Sequence, residues 1–284
     1  MTDINSVIKL ANGTGINRLG LGTWRLTGAE VATAVLAAAE AGYRRFDTAS
    51  AYENESELGE ALAATGLARG EYFVTSKNWN SEQGAGATAE ACRRSLERLR
   101  LDYLDLYLLH WPVRTRSLEC WGDMEKLLED GLVKAVGVSN FRENHLAELL
   151  KIAKVRPMVN QIELHPYLTQ ERISAFCAAQ GLVVEAYSPL GRGQFKKNQF
   201  FQKLARKHGR TPAQIVLRWH FQSGRAFIPK ASSPEHVREN AAIFDFVLTP
   251  EDMEGIGRQN QNRSVLKPPF EFDAEGWIVE GGGK

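Results

Sequence analysis

With 284 residues, 43% of them apolar, the chain is long enough to bury a large core, and a single α/β barrel of about 250 residues fits that length. Its 35 Lys and Arg against 34 Asp and Glu leave a formal net charge of +1 with no like-charge block, which argues against nucleic acid or an anionic membrane surface as partner. Three scattered cysteines without a CxxC pair, six histidines without HxxxH or HExxH spacing, and no apolar run longer than residues 31–39 argue against a disulfide framework, a metal site and a membrane span.

The opening MTDINS carries an early acid and no apolar stretch, so no secretory signal is expected, and free thiols fit a cytoplasmic protein. The first expected element is a hairpin in which VIKL and GINRL flank a turn at Asn12-Gly13, a plug for the bottom of a barrel. Short β-rich runs then alternate with helical segments, and strands are expected at 20–23, 43–46, 72–76, 104–109, 133–138, 158–162, 182–187 and 226–229. Runs such as LDLYLL and AVGV lack polar alternation and suit parallel strands covered on both faces. Residues 87–99 place Ala91, Cys92, Ser95, Leu96 and Leu99 on one helical face. Helix starts are signalled by Thr27 three before Glu30, Asn140 three before Glu143, and Thr211-Pro212 ahead of Gln214. Eight strand–helix units predict a closed (β/α)8 TIM barrel, with residues 1–284 forming a single barrel domain. From Asn260 onward Pro268-Pro269, Phe270, Phe272 and Trp277 show no periodicity, which predicts a C-terminal loop over the barrel mouth and a disordered end at 281–284.

Barrel enzymes carry their reactive groups at the C-terminal strand ends. Here those ends read Asp47, Lys77, His110, Ser139-Asn140, Asn160-Gln161, Tyr187-Ser188 and Lys230. Each has an ordinary structural explanation: Asp47 pairing with a base, Asn140 capping the next helix, His110 bonded in the core. Seven on one rim converge on one mouth, and that convergence favours a site. No GxGxxG follows a first strand, and Gly20-Leu21-Gly22 and Gly191-Arg192-Gly193 are too short to make a Rossmann fingerprint.

The strings GYRRFDTASAYENE, TSKNW, LLHWP, GVSNF, NQIELHP, AYSPLG and IPKASSPEHVREN resemble the motifs of the aldo-keto reductase family in order and spacing, from GLGTW to Glu239-Asn240. Within it they are most similar to the bacterial diketogluconate and methylglyoxal-type reductases. The resemblance implies reduction of small-molecule carbonyls with a catalytic tetrad of Asp47, Tyr52, Lys77 and His110. Protonating the new alkoxide requires a positioned acid, and the Tyr52 phenol qualifies if Lys77 depresses its pKa, Asp47 fixes that lysine, and a neutral His110 orients the carbonyl. It further implies that Trp24, Trp79 and Trp111 wall an apolar substrate pocket. The cofactor would lie extended across the mouth. Thr23, Ser139, Asn140 and Gln161 would contact it, the last three at the carboxamide, and Tyr187 would stack on the nicotinamide. Ser188, Leu190 and Gly191 would flank the pyrophosphate, Lys230, Ser232 and Ser233 the adenosine phosphate, and Glu239 and Asn240 the adenine. His236 stands where many NADPH-preferring members carry an arginine, so NADPH is expected with NADH possible.

The expected protein is therefore a monomeric NAD(P)H-dependent carbonyl reductase. The competing reading is a nicotinamide-binding regulatory subunit of the same fold. A barrel hydrolase built on Asp47 leaves Lys77, Tyr52 and Tyr187 without a role. The short segment 112–117 suggests an open mouth, where Arg114 and Arg116 would either favour an anionic substrate or simply be solvated.

Overall fold

A computed structural model describes residues 3–268 and 270–279; Pro269 and the end at 281–284, for which disorder was expected, lie outside the described residues. The chain opens with an antiparallel hairpin, β1 (Val7–Lys9) and β2 (Gly15–Asn17), in the register Ile8↔Ile16. Gly13 takes the left-handed φ of +86° that its turn needs. Leu10 and Ile16 pack with Phe73, Leu106, Ala135, Met158 and Val159 at the lower ends of the barrel strands, so the hairpin is the expected plug.

Eight parallel strands follow: β3 (Leu21–Gly22), β4 (Arg45–Asp47), β5 (Phe73–Asn78), β6 (Leu106–Leu109), β7 (Val136–Ser139), β8 (Val159–Glu163), β9 (Val183–Tyr187) and β10 (Ala226–Ile228). They pair in sequence order, and parallel bridges at Leu19↔Phe227 and Gly22↔Lys230 bring the last against the first, which makes the (β/α)8 barrel. Several strands begin later than expected because only the inner residues of each apolar run pair continuously: Leu104 and Val133 meet in an isolated bridge.

The helices form the outer ring. After β3 to β5 come α1 (Ala29–Glu40), α2 (Glu55–Ala64) and α3 (Ala87–Leu99), the last with the anticipated span and buried face. Then follow α4 (Arg114–Glu119), α5 (Trp121–Glu129), α6 (Glu143–Ile152), α7 (Glu171–Ala179), α8 (Gln199–His208), α9 (Pro212–Gln222), α10 (Pro234–Ala241) and α11 (Pro250–Gly257). Thr211 and Gln214 form the full capping box ahead of α9. Two expected caps move. Gly28, not Thr27, precedes α1, and Arg142 precedes α6, where its N–H donates to His145 Nδ1 at 3.1 Å. Asn140 is thereby released from capping. Among the described residues no helix is long and apolar enough to cross a membrane, and no cluster of His, Cys, Asp or Glu is suited to hold a metal ion.

The tail returns over the mouth and is fastened there. Trp277 is fully buried, tilted against His145 with ring centroids 4.2 Å apart and edge-on to Phe141. Arg114 pairs with Asp273 at 3.1 Å and with Glu275 at 2.9 Å, so its charge serves the tail rather than standing ready for an anionic substrate. The short segment after β6 leaves room that the tail fills: Phe270 lies 4.9 Å from Trp111 and 6.2 Å from Trp79, so the mouth is narrower than that segment alone suggested.

Candidate active site

At the upper ends of β4 and β5, the Lys77 ammonium donates to Asp47 Oδ1 at 2.6 Å and to the Thr48 carbonyl at 2.8 Å, and it lies 3.4 Å from the Tyr52 hydroxyl. Lys77 and Asp47 are buried, and their parallel strands fix both backbones. Tyr52 reaches them from a short 3-10 turn (Ser50–Tyr52) whose Ser50 hydroxyl donates to Glu82. The His110 ring stands edge-on to Tyr52 at 5.7 Å, and its Nδ1 is buried without a hydrogen-bond partner among the described residues.

Burial pulls the Lys77 ammonium down, but the charges of Asp47 and Tyr52 and the bond to Asp47 outweigh it and hold the group above its ordinary value. Burial, reinforced by the Lys77 charge, holds the His110 imidazole well below its usual range, so it is neutral. Tyr52 departs from expectation. Removal from water around its hydroxyl pushes the phenol above its ordinary value; Lys77 pulls it back and Asp47 opposes that pull. The net shift is upward because the cost of burying the phenolate outweighs the pull of the lysine, which the carboxylate 2.6 Å from that lysine also opposes. The arrangement is a protonated phenol beside a fixed ammonium, with a neutral imidazole facing the same space. It can deliver a proton to an oxygen that is gaining negative charge.

Of the three expected wall tryptophans, Trp79 and Trp111 come together. Trp79 lies 5.0 Å from His110, and Phe270 of the tail bridges the two indoles. Trp24 does not join them. It lines a separate cleft of about 410 Å³, with the Arg25 guanidinium 4.4 Å from its ring and that of Arg192 at 5.0 Å. Ser188, Leu190, Lys230, His236, Glu239 and Asn240 line the same cleft. Ser232 and Ser233 are half-buried beside it, and the Ser233 hydroxyl caps α10 by accepting from the His236 N–H at 3.2 Å. Gly191 stands behind it with φ +49°, where a Cβ would come within 2.9 Å of the Phe195 ring.

A second cleft of about 730 Å³ opens beside Trp111, Asn140, Tyr187, Glu163, Ser264 and Phe272. Because Tyr187 lines one cleft and Ser188 the other, the two meet at the end of β9. The tetrad lines neither. The Tyr187 hydroxyl donates to Asn140 Oδ1 at 2.8 Å, while Asn140 Nδ2 donates to the His110 carbonyl and to Ser139 Oγ. Ser139 Oγ donates to the Gln161 carbonyl at 2.9 Å, and Gln161 Nε2 donates to Asp47 Oδ2 at 2.8 Å. Thr23, expected at the cofactor, is fully buried and donates to the Asp47 carbonyl, which places it in the frame below the rim.

Sequence reasoning missed the cations Arg25, Arg192 and Lys196 around the first cleft, the tail aromatics as walls, and the pair Arg45–Glu185 inside the barrel. The last had a legible signal: a charged residue stands two positions before a rim residue in the apolar strands RFD and VVEAY. The first cleft suits an extended polyanion with an aromatic end. It offers four cationic side chains, the apolar walls of Trp24 and Leu190, and acceptors at Glu239 and Asn240.

Comparison with known proteins gives the family. Residues 13–260 match the aldo/keto reductase family. The chain is 45% identical over 272 residues to the glyoxal reductase of Bacillus subtilis, covering 95% of this chain and 99% of that protein. It is 42% identical over 272 residues to the methylglyoxal reductase DkgA of Salmonella typhimurium, covering 94% and 98%. The Bombyx mori aldo-keto reductase, solved in complex with NADP, superposes with a TM-score of 0.87 at 34% identity over 94% of this chain and 96% of its own.

Proposed function

The chain belongs to the aldo/keto reductase family, and from that premise we propose that it reduces the carbonyl group of small aldehydes and ketones to alcohols, using NADPH and, less readily, NADH. When bound, the dinucleotide supplies the hydride. The residues around the first cleft fit it: Lys230, Arg25 and Arg192 would meet its phosphates and Glu239, Asn240 and His236 its adenosine end, while Tyr187, beside the adjoining cleft, and Gln161 would meet its nicotinamide end. The chain's own residues handle the proton. Tyr52 donates its O–H to the carbonyl oxygen as that oxygen becomes an alkoxide, and Lys77 stabilises the phenolate left behind. Asp47 keeps the lysine in place and charged, and neutral His110 hydrogen-bonds the carbonyl and orients it. Trp79, Trp111 and Phe270 exclude water and shape the space for the substrate.

One observation carries this reading: a buried Lys77 sits 2.6 Å from Asp47 and 3.4 Å from the Tyr52 hydroxyl, an expensive charge placement that the fold alone does not require. The raised phenol supports it too, because an acid that stays protonated through neutral pH is the form a reduction needs. We place the protein in the cytoplasm as a monomer of one barrel domain, in keeping with three buried free cysteines. The test is a panel of carbonyls, including glyoxal and methylglyoxal, followed by loss of nicotinamide absorbance with NADPH and with NADH. Turnover of at least one member is expected. Dinucleotide binding without turnover of any would replace catalysis by a regulatory role.

A further inference from the structure

Beneath the tetrad lies a second buried ion pair that the proposed chemistry does not use. Arg45 stands two residues before Asp47 on β4, and Glu185 two before Tyr187 on β9, so both enter the barrel on the same strand faces as those rim residues. Both are fully buried. The Arg45 guanidinium donates to Glu185 Oε1 and to the main-chain oxygen of Asn17 in the plugging hairpin. Gly20 makes the room, since a Cβ there would lie 2.7 Å from Arg45 Nε.

Gln161 joins this pair to the one above it. Its Nε2 donates to Asp47 Oδ2 at 2.8 Å and to Glu185 Oε2 at 3.2 Å. A primary amide has two N–H bonds and one carbonyl oxygen. Asp47 engages one N–H and Glu185 the other, and the opposite flip would set Oε1 against two carboxylates. An amide with both N–H bonds committed has only an acceptor left to offer. We propose that Glu185, held by Arg45, is a positioning residue that locks the flip of Gln161, so that Gln161 presents an acceptor and no donor to the carboxamide of the dinucleotide. This rests on the nicotinamide reading above. Its consequence is discrimination: a carboxamide N–H can be accepted, whereas a methyl ketone in its place offers nothing to accept.

The test compares binding of oxidised NADP with that of its 3-acetylpyridine analogue, which exchanges the carboxamide NH₂ for a methyl group, by titration calorimetry. Wild-type protein is expected to favour the carboxamide by roughly three- to tenfold, the range of one net hydrogen bond. In Arg45→Met/Glu185→Leu the freed N–H can turn outward, and the preference should fall to within about twofold, below the range of one net hydrogen bond. That variant should stay folded, because apolar residues of similar volume often replace a buried ion pair without loss. Glu185→Gln should lose the preference as well, with a lower melting temperature because Arg45 is left unpaired. A wild-type protein without the preference overturns the proposal, and so does a folded variant that keeps the wild-type ratio, which would reduce the pair to a structural role. If wild-type protein binds neither dinucleotide, the nicotinamide reading falls and takes this one with it.

Discussion

The barrel interior and the barrel mouth are built on different terms. Inside, Asp47 and Lys77 stand on the adjacent strands β4 and β5, and Gln161 and Glu185 on the adjacent strands β8 and β9, nearly or fully buried, with each charge matched by a partner within hydrogen-bond reach. At the mouth, Arg25, Arg192, Lys196, Lys230 and His236 are exposed, and the walls come from loops and from the tail. The interior sets a few groups rigidly at high electrostatic cost, as proton transfer demands. The mouth gathers charge and aromatic surface where they can adapt to a ligand, as recognition demands. Substitutions inside should therefore change the chemical step, and substitutions at the mouth should change which molecules are used.

The largest effect expected is that of Tyr52→Phe, which keeps the ring and removes the proposed acid. Turnover should fall roughly 10²–10⁴-fold while dinucleotide affinity stays near wild type. Near-normal turnover would take the acid out of the interior altogether. Next comes Lys77→Met, expected to cost about a hundredfold in kcat, since the phenolate loses its counter-charge. Asp47 is then a buried carboxylate without its partner, at a cost of about 3–5 kcal/mol in stability, so the melting curve belongs with the kinetics. The pH profile separates the terms. Because Tyr52 is held above its ordinary value and His110 well below its own, wild-type reduction should show no inflection between about pH 6 and 8 and should decline only above about pH 10. An inflection near neutrality would assign the proton to another group.

The mouth is probed by smaller effects. His236→Arg adds a permanent charge and a planar face beside the first cleft, and should raise the NADPH-over-NADH ratio of kcat/KM about tenfold. A ratio that does not move would turn residue 236 away from the ribose. Trp79→Ala and Trp24→Ala should split by place. The first should reorder the carbonyl panel by about threefold or more, the second should mainly weaken dinucleotide binding, because Trp24 lines the cationic cleft and Trp79 faces His110. If both change the carbonyl ranking alike, the boundary between the two regions lies elsewhere.

Much of the interior is legible in the sequence. The alternation of apolar runs and helical periods located eight strands, and a polar residue ending an apolar strand marked the rim. The helix α3 appeared where periodicity put it. What escaped was whatever depends on contacts between distant segments. Asn140 reads as a helix cap by its spacing from Glu143, yet the chain turns through a left-handed φ of +64° there and sends the side chain to Tyr187 and His110. Arg114 reads as either a substrate-facing or a solvated cation, yet its partners are carboxylates 159 and 161 residues away. Trp24 and Trp79 look equivalent as aromatic residues after strands, yet Trp24 lines the cationic cleft while Trp79 packs against His110.

By itself the sequence determined the barrel, its plug and the identity of the groups on its rim. Strand and helix periodicity are local properties, and eight repeats of one unit leave few ways to bury both faces of a parallel sheet. Only the tertiary structure decided the balance of charge among those groups. The phenol of Tyr52 lies above its ordinary value rather than below it because burial outweighs the pull of Lys77, a pull that Asp47, thirty residues away along the chain and 2.6 Å from that lysine, opposes. Likewise Gln161 faces two carboxylates because Glu185 is its register partner on β9, while closure of the barrel brings Asp47 on β4 across the interior to it. Electrostatic effects depend on distance and burial, which no local pattern of residues encodes.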